Sequence, residues 1–394
     1  MRTSAAVFEK GSAGCYVTRR RMLMSPAKIL YLIDSVIRGG TESQLVGLIN
    51  RLDRRAFSPS LCTLRPSDAF IAEANCPRLE LDVPRLFSPR GASKLRQFAR
   101  HLRHEGVAVV QTFFQDSTLF GMAAARLARV PVRLVAFRDL GFWRTPSQEF
   151  LMRRAYPMAT GFLANSQAVK NHVCARDRLD TSRFRVIYNG ADTGQYRFME
   201  HLENDVVVGI VGNINRPVKR TDLFLRAAAR VSAHHPEVTW HLMGDGDLRP
   251  ECEALATYLG IRDRTVFAGR IADVPTYLQK IAIGVICSDS EGFSNAILEY
   301  MLSGCAVIAT AVGGNPEAVQ DGRTGLLVPA GDEGALAQAI GRLVDERAFR
   351  LALAREARTV AERNFGWDKC VADHEEYYRA SLLAAGATEG VPPR

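Results

Sequence analysis

Short apolar runs alternate with longer amphipathic stretches along nearly the whole chain, a pattern of run length and 3.6-residue period that predicts strands and helices in turn. In the first half the runs fall at 28–33, 58–64, 107–111, 132–137, 161–164 and 184–187, with helical patterns at 93–104, 119–127, 148–156 and 166–174. Leu45, Leu48 and Ile49 mark one more helix face after the first run. The second half repeats the layout, with strands at 206–211, 238–243, 266–267, 283–287, 307–310 and 325–328 and helices at 221–232, 249–259, 274–280, 295–302, 315–319 and 333–343. A long helical tail at 347–383 is interrupted near 364–367. Such alternation predicts parallel sheets covered by helices on both faces. The fold class is therefore α/β: a Rossmann-like N-terminal domain over 26–196, a turn-rich linker, and a Rossmann-like C-terminal domain over 205–365. Residues 366–394 read as a C-terminal helix and tail. Residues 1–25 read as a disordered leader, because the apolar segment after Arg19, Arg20 and Arg21 is too short for a signal peptide.

Three junctions carry candidate chemistry. The stretch Glu291-Gly-Phe-Ser-Asn-Ala-Ile-Leu-Glu299 follows a strand, and Ile297, Leu298, Met301 and Leu302 give its helical part an apolar face with Ser294 as N-cap. Free N–H groups at the helix start suit a phosphate, and carboxylates before and inside the helix suit sugar hydroxyls. An ordinary strand–helix crossover with two solvated glutamates is the other reading. Gly39 and Gly40, between the first strand and its helix, fit either a backbone approach to phosphate or a tight turn. In Asn215-Arg-Pro-Val-Lys-Arg220 the cations Arg216 and Lys219 precede a helix, where positive charge opposes the helix dipole, so an anion site is favoured over plain surface cations.

Charge divides the chain. The net charge is +9, but residues 1–200 hold 31 Lys and Arg against 16 Asp and Glu, whereas the remainder is acidic. The basic half fits an anionic membrane surface or an anionic acceptor, or simply a solvated arginine surface; no nucleic-acid motif accompanies it. No apolar run reaches the ~18 residues of a membrane span. The eight cysteines lack metal or redox spacing, which fits reduced thiols in the cytoplasm, with a peripheral place at the inner face of the membrane. Asp245-Gly-Asp247 is turn chemistry rather than a metal site, and the histidines have no ligand spacing, so neither metal nor cofactor is expected.

Gly244-Asp-Gly246, Phe267-Ala-Gly269, the Glu291 to Glu299 stretch, Ser303-Gly304, Gly313-Gly314-Asn-Pro-Glu317 and Asp321-Gly322-Arg-Thr-Gly325 occur in order. Together they resemble the C-terminal domain of glycosyltransferase family 4, retaining enzymes of the two-domain GT-B architecture. The resemblance implies a nucleotide-sugar held in the interdomain cleft, with a C-terminal helix packing back on the N-terminal domain. Glu299 would take the ribose hydroxyls, Glu291 the donor sugar, and the amides of Phe293, Ser294 and Asn295 sugar or phosphate oxygens. Gly39 and Gly40 would approach the diphosphate from the other domain, and Arg216 and Lys219 would neutralise it as it leaves.

The match departs at the strand end Gln111-Thr-Phe113, where many family members carry two histidines. Neither Gln111 nor Phe113 exchanges a proton. Asp116 is the nearest titratable group for an acceptor-side catalytic role, and a helix N-cap is its alternative. Arg138, with Phe142 and Trp143 beyond it, either meets an anionic acceptor or forms an internal pair with Asp139. The expected activity is retaining transfer of a sugar to a glycan or lipid-linked acceptor in surface polysaccharide or glycolipid synthesis. A catalytically silent nucleotide-sugar-binding subunit and an epimerase of the same fold are the alternatives.

Overall fold

The computed structural model describes residues 25–387 apart from 84, 142–143 and 202–205. The expectations for the leader, for Phe142 and Trp143 and for the last residues of the tail lie outside the described residues. The first sheet is built from β1 (Ala27–Ile33), α1 (Gly40–Arg51), β2 (Phe57–Thr63), β3 (Arg78–Glu80), α2 (Pro89–His104), β4 (Val109–Phe113), α3 (Gln115–Ala128), β5 (Val132–Phe137), α4 (Pro146–Ala155), β6 (Gly161–Ala164), α5 (Gln167–Asp177) and β7 (Phe184–Val186). The second comprises β8 (Val207–Val211), α6 (Thr221–Ser232), β9 (Thr239–Met243), α7 (Arg249–Tyr258), β10 (Thr265–Gly269), α8 (Val274–Leu278), β11 (Ile283–Ile286), α9 (Asn295–Ser303), β12 (Ala306–Thr310), α10 (Asn315–Ala318), β13 (Leu326–Val328) and α11 (Glu333–Asp345). Two long helices, α12 (Arg347–Phe365) and α13 (Trp367–Ala384), close the chain.

All strand pairs are parallel, and β4, β11 and β12 are buried along their whole length, as strands covered on both faces must be. The strand orders are β3-β2-β1-β4-β5-β6-β7 and β10-β9-β8-β11-β12-β13. Each order reverses once, between β1 and β4 in the first sheet and between β8 and β11 in the second. In such sheets the loops leaving the carboxyl ends at the reversal diverge and leave a crevice. The four strand-to-helix junctions concerned carry Gly39 and Gly40 after β1, Asp116 after β4, Arg216 and Lys219 after β8, and Glu291 after β11.

Local signals explain where helices begin. Ser88 caps α2 through the Gly91 amide, with Pro89 supplying a preset first residue, so α2 starts earlier than its apolar period indicates. Thr145 and Gln148 form a reciprocal capping box on α4. One expectation is corrected: α3 starts at Gln115, so Asp116 lies inside its first turn and is not its N-cap.

The chain crosses between the sheets twice, and the crossings are bonded to each other. The Ala191 amide donates to the Phe365 carbonyl (2.8 Å) and the Trp367 amide to the Ala191 carbonyl (3.2 Å). The break between α12 and α13 therefore sits at the hinge, and α13 returns to the first sheet. There Tyr378, Cys370 and Leu382 join its core, and the Trp367 ring lies against Gly47 and Gly190, where an added Cβ would come within 2.3 Å and 2.5 Å of ring carbons. Only glycine admits the indole at both places.

Candidate functional site

On the C-terminal side of the crevice, the turn after β8 holds Lys219 so that its Nζ donates to Glu291 Oε1 at 2.7 Å. Ser288 Oγ donates to the same oxygen at 2.7 Å. Glu291 is thus fixed on one carboxylate oxygen, with its side chain 10% exposed. Arg216, at the start of that turn, is exposed and makes no ion pair among the described residues. Beyond Glu291, the amides of Phe293, Ser294 and Asn295 find no acceptor among the described residues and stand as the open N-terminus of α9. Ser294 occupies the N-cap position, but its side chain makes no capping bond, which corrects the expected mechanism. One turn into α9, Glu299 is half-buried, and burial pushes its pKa up to about 7.

On the N-terminal side the charged groups already hold one another. Glu42, in the first turn of α1, turns back over that helix's own N-terminus, its Oε2 lying 2.7 Å from where a Cβ on Gly39 would stand. Burial raises its pKa, while the fields of Arg216 and Arg138 oppose the rise. Arg65 pairs with Asp116, and Asp34 lies beside them with its Oδ1 accepting the Ser117 amide at 2.7 Å. Arg138 Nη2 donates to Asn189 Oδ1 at 2.8 Å, and burial lowers the guanidinium pKa to about 10. Arg138 is therefore bonded to the linker through Nη2.

The two sides meet through the loop 291–295. Asn295 Nδ2 donates to the Gly40 carbonyl at 3.1 Å, and its Oδ1 accepts from Gln44 (3.3 Å) and from Asn189. Asn189 also donates to the Phe293 carbonyl (3.1 Å), and Ser166 Oγ donates to the Gly292 carbonyl (2.8 Å). The Phe293 ring is buried in a cluster with Tyr188 and Phe365 at centroid distances of 5.1 and 5.4 Å, so its side chain supports the hinge while its backbone faces the crevice.

Of the residues singled out in the sequence, the structure bonds Lys219 to Glu291 and Asn295 to Gly40, brings the charge of Arg216 to bear on Glu42 beside Gly39, and pairs Asp116 with Arg65, while the Glu299 side chain has no bond to any of them among the described residues. Phe113 is corrected. It is 3% exposed and packs against Tyr31, so its ring lies in the core of the first sheet. Gln111 is equally buried and accepts from the Tyr378 hydroxyl at 2.8 Å. Missed entirely were Glu42, Asp34, Arg65, Gln44, Ser166 and Asn189. The strand ends carried the signal for Asp34 and Arg65; the others are defined only by partners far along the chain.

Two family models match, one described as Glycosyltransferase Family 4 over residues 38–195 and one as Glycosyl transferases group 1 over residues 205–346. Among curated proteins, the Vi polysaccharide biosynthesis protein VipC/TviE of Salmonella typhi is 29% identical over 239 residues, 55% of this chain and 40% of the relative. A D-inositol 3-phosphate glycosyltransferase of Rhodococcus jostii is 33% identical over 257 residues, 59% of this chain and 56% of the relative. The chain spans about half the length of the curated relatives it matches. Among solved structures, Anabaena HepE in complex with UDP and glucose superposes with a TM-score of 0.80 at 23% identity, covering 90% of this chain and all of HepE. The lipopolysaccharide outer core galactosyltransferase WaaB gives 0.74 at 18% identity, covering 91% of this chain and 99% of WaaB. These superpositions carry the fold, two facing Rossmann-like domains.

Proposed function

The chain belongs to glycosyltransferase family 4, and from that premise we propose that it transfers a sugar, with retention at the anomeric carbon, from a nucleoside diphosphate sugar to a hydroxyl of a glycan or lipid-linked acceptor. Surface polysaccharide or glycolipid synthesis is the setting. The observation that carries this reading is the pairing of Lys219 with Glu291 beside the open N-terminus of α9, opposite the glycine start of α1. A cation, a fixed carboxylate and free amides converge where a diphosphate and a hydroxylated ring would lie side by side.

In the proposed reaction the acceptor oxygen bonds to the anomeric carbon on the face from which the diphosphate oxygen departs. The acceptor proton passes to that departing phosphate oxygen. Lys219 and Arg216 stabilise the charge that develops there, and Glu299 holds the ribose from α9. The amides of Phe293, Ser294 and Asn295, with Gly39 and Gly40 across the crevice, orient the sugar and phosphates. Asp116, pinned by Arg65, acts as a hydrogen-bond acceptor for an incoming hydroxyl, not as a proton carrier. HepE is solved in complex with UDP, which makes uridine donors the first to test.

The acceptor's location fits the outer face of α2 and α3. Arg96, Arg100, Arg103, Arg126 and Arg129 are exposed there and make no ion pair among the described residues, with Phe87 at 77% and Leu127 at 48% exposure beside them. Cations interleaved with apolar side chains suit a peripheral seat on an anionic lipid surface. No helix among the described residues is long and apolar enough to cross a membrane. A second reading, a nucleotide-sugar-binding subunit without turnover, is favoured by the buried Gln111 and Phe113.

Thermal shift across UDP-, GDP- and ADP-sugars identifies the donor, followed by transfer to lipid-linked oligosaccharides by wild type and Glu299→Ala. Transfer by wild type that the variant loses is expected. Full activity in Glu299→Ala sinks the assignment, and donor binding without hydrolysis or transfer favours the silent subunit.

A further inference from the structure

Glu317 belongs to the second domain but is bonded to the first. Its Oε1 accepts from the Ala168 amide at 2.7 Å, and its Oε2 accepts from the Gln167 amide and the Tyr188 hydroxyl, each at 2.8 Å. Gln167 and Ala168 are the first two residues of α5, an 11-residue helix. The third amide, Val169, goes to the helix's own cap, Ser166. The helix start is therefore satisfied jointly by its own serine and by a carboxylate borrowed from the other domain, where the helix dipole strengthens both bonds.

The opposite end of the same turn touches the donor loop. The Gly314 amide donates to the Gly292 carbonyl at 3.0 Å, and the Ser166 hydroxyl reaches that carbonyl from the other domain at 2.8 Å. A Cβ at Gly313 would lie 1.7 Å from the Glu291 carbonyl oxygen, and one at Gly314 would lie 2.4 Å from the Gly292 oxygen. Gly313 also has φ +51, so the glycine pair is required both for its backbone shape and for its closeness to residues 291–292. Gly292 in turn abuts the Arg138 carbonyl, 2.1 Å from where its own Cβ would be. A continuous rigid path thus runs from the start of α5, through Glu317 and the 313–314 turn, to the backbone that carries Glu291.

We propose that Glu317 is a positioning residue that ties the setting of the donor loop to the placement of the N-terminal domain. Any relative motion of the two domains moves α5, and Glu317 passes that motion to residues 291–295. The residue touches neither sugar nor phosphate; it acts through Gly313, Gly314 and Gly292. This inference rests on the reading of the 291–295 loop as the donor site.

Hydrogen exchange on the full chain, read by peptide, tests it in wild type, Glu317→Ala and the size-preserving Glu317→Gln, alongside UDP binding by calorimetry. A cap that served α5 alone would speed exchange only at Gln167 and Ala168. The proposal expects exchange at Gly314, whose amide is held on the Gly292 carbonyl, to quicken about tenfold as well, with UDP affinity falling about tenfold in Glu317→Ala and less in Glu317→Gln. Faster exchange confined to the start of α5, with Gly314 and UDP affinity unmoved, overturns it. If wild type binds no UDP, the donor reading fails for uridine, while exchange at Gly314 still decides whether the coupling exists.

Discussion

The two walls of the crevice hold their charges differently. On the C-terminal wall, among the described residues, Arg216 makes no ion pair, Glu299 has no hydrogen-bond partner, and the amides of Phe293, Ser294 and Asn295 have no acceptor. Glu291 is fastened by Lys219 and Ser288. On the N-terminal wall each charge is already engaged: Arg65 with Asp116, Asp34 with the Ser117 amide, Arg138 with Asn189, Glu42 with its own helix start. A wall of open donors and acceptors suits a ligand whose phosphates and hydroxyls complete it. A self-satisfied wall suits a partner held by shape and a few exchanged hydrogen bonds. In those terms the C-terminal wall is preorganised for such a ligand, and the N-terminal wall is already satisfied without one.

That contrast breaks most visibly at Lys219. Lys219→Ala removes one of the two cations after β8 and leaves Glu291 without its ion-pair partner, so kcat should fall about 10²- to 10³-fold. The thermal midpoint should shift by only a few degrees, because the lysine is partly exposed. Loss of activity that merely tracks unfolding would erase the distinction between the walls.

Glu299 offers a titration of the open wall. Burial pushes its carboxyl pKa up to about 7, above the ordinary 4.5, so the folded state prefers the proton. The stabilising contribution of that proton is fully present below pH 4.5 and is lost as pH rises through about 7. Donor binding has the opposite sign, because ribose hydroxyls bond best to the ionised form. Donor affinity should therefore drop about tenfold per pH unit below 7, the signature of one proton released on binding. Glu299→Gln should bind weakly and without that slope; a wild-type profile flat from pH 5.5 to 8 would contradict the ribose role.

The smallest effect belongs to the engaged wall. Arg65→Ala leaves Asp34 and Asp116 without their cation, yet Arg65 is 39% exposed and the loss of stability should stay within about 1 kcal/mol. Acceptor KM should change a few-fold while donor KM holds. A donor effect as large as the acceptor effect would show that the walls are not separable.

Local pattern carried the sequence a long way. β5, β6 and α6 begin and end where their apolar runs and helix period place them. The C-terminal wall was legible for the same reason, since Glu291, Ser294 and Glu299 sit within one strand–loop–helix unit whose spacing fixes their geometry. The N-terminal wall was not. Asn295 meets Gly40 across 255 positions, Glu317 meets Ala168 across 149, and Gln111 meets Tyr378 across 267. A hydrophobic period tells which face of an element is buried but not which distant polar group will face it. Phe113 was misplaced on this account: its strand runs to the residue itself, and the ring turns to the core instead of the crevice.

The return of α13 to the first sheet has a consequence for how the protein is made. Gln111 and Tyr31, both buried in the first sheet, are joined through the Tyr378 hydroxyl at 2.8 and 3.1 Å. Until that helix leaves the ribosome, the sheet built from the earliest residues carries an unsatisfied amide and an exposed apolar flank. The first domain synthesised is therefore the last to be finished, and the second can reach its native form while the first still waits. A nascent chain halted before α13 should be the species that chaperones and proteases recognise.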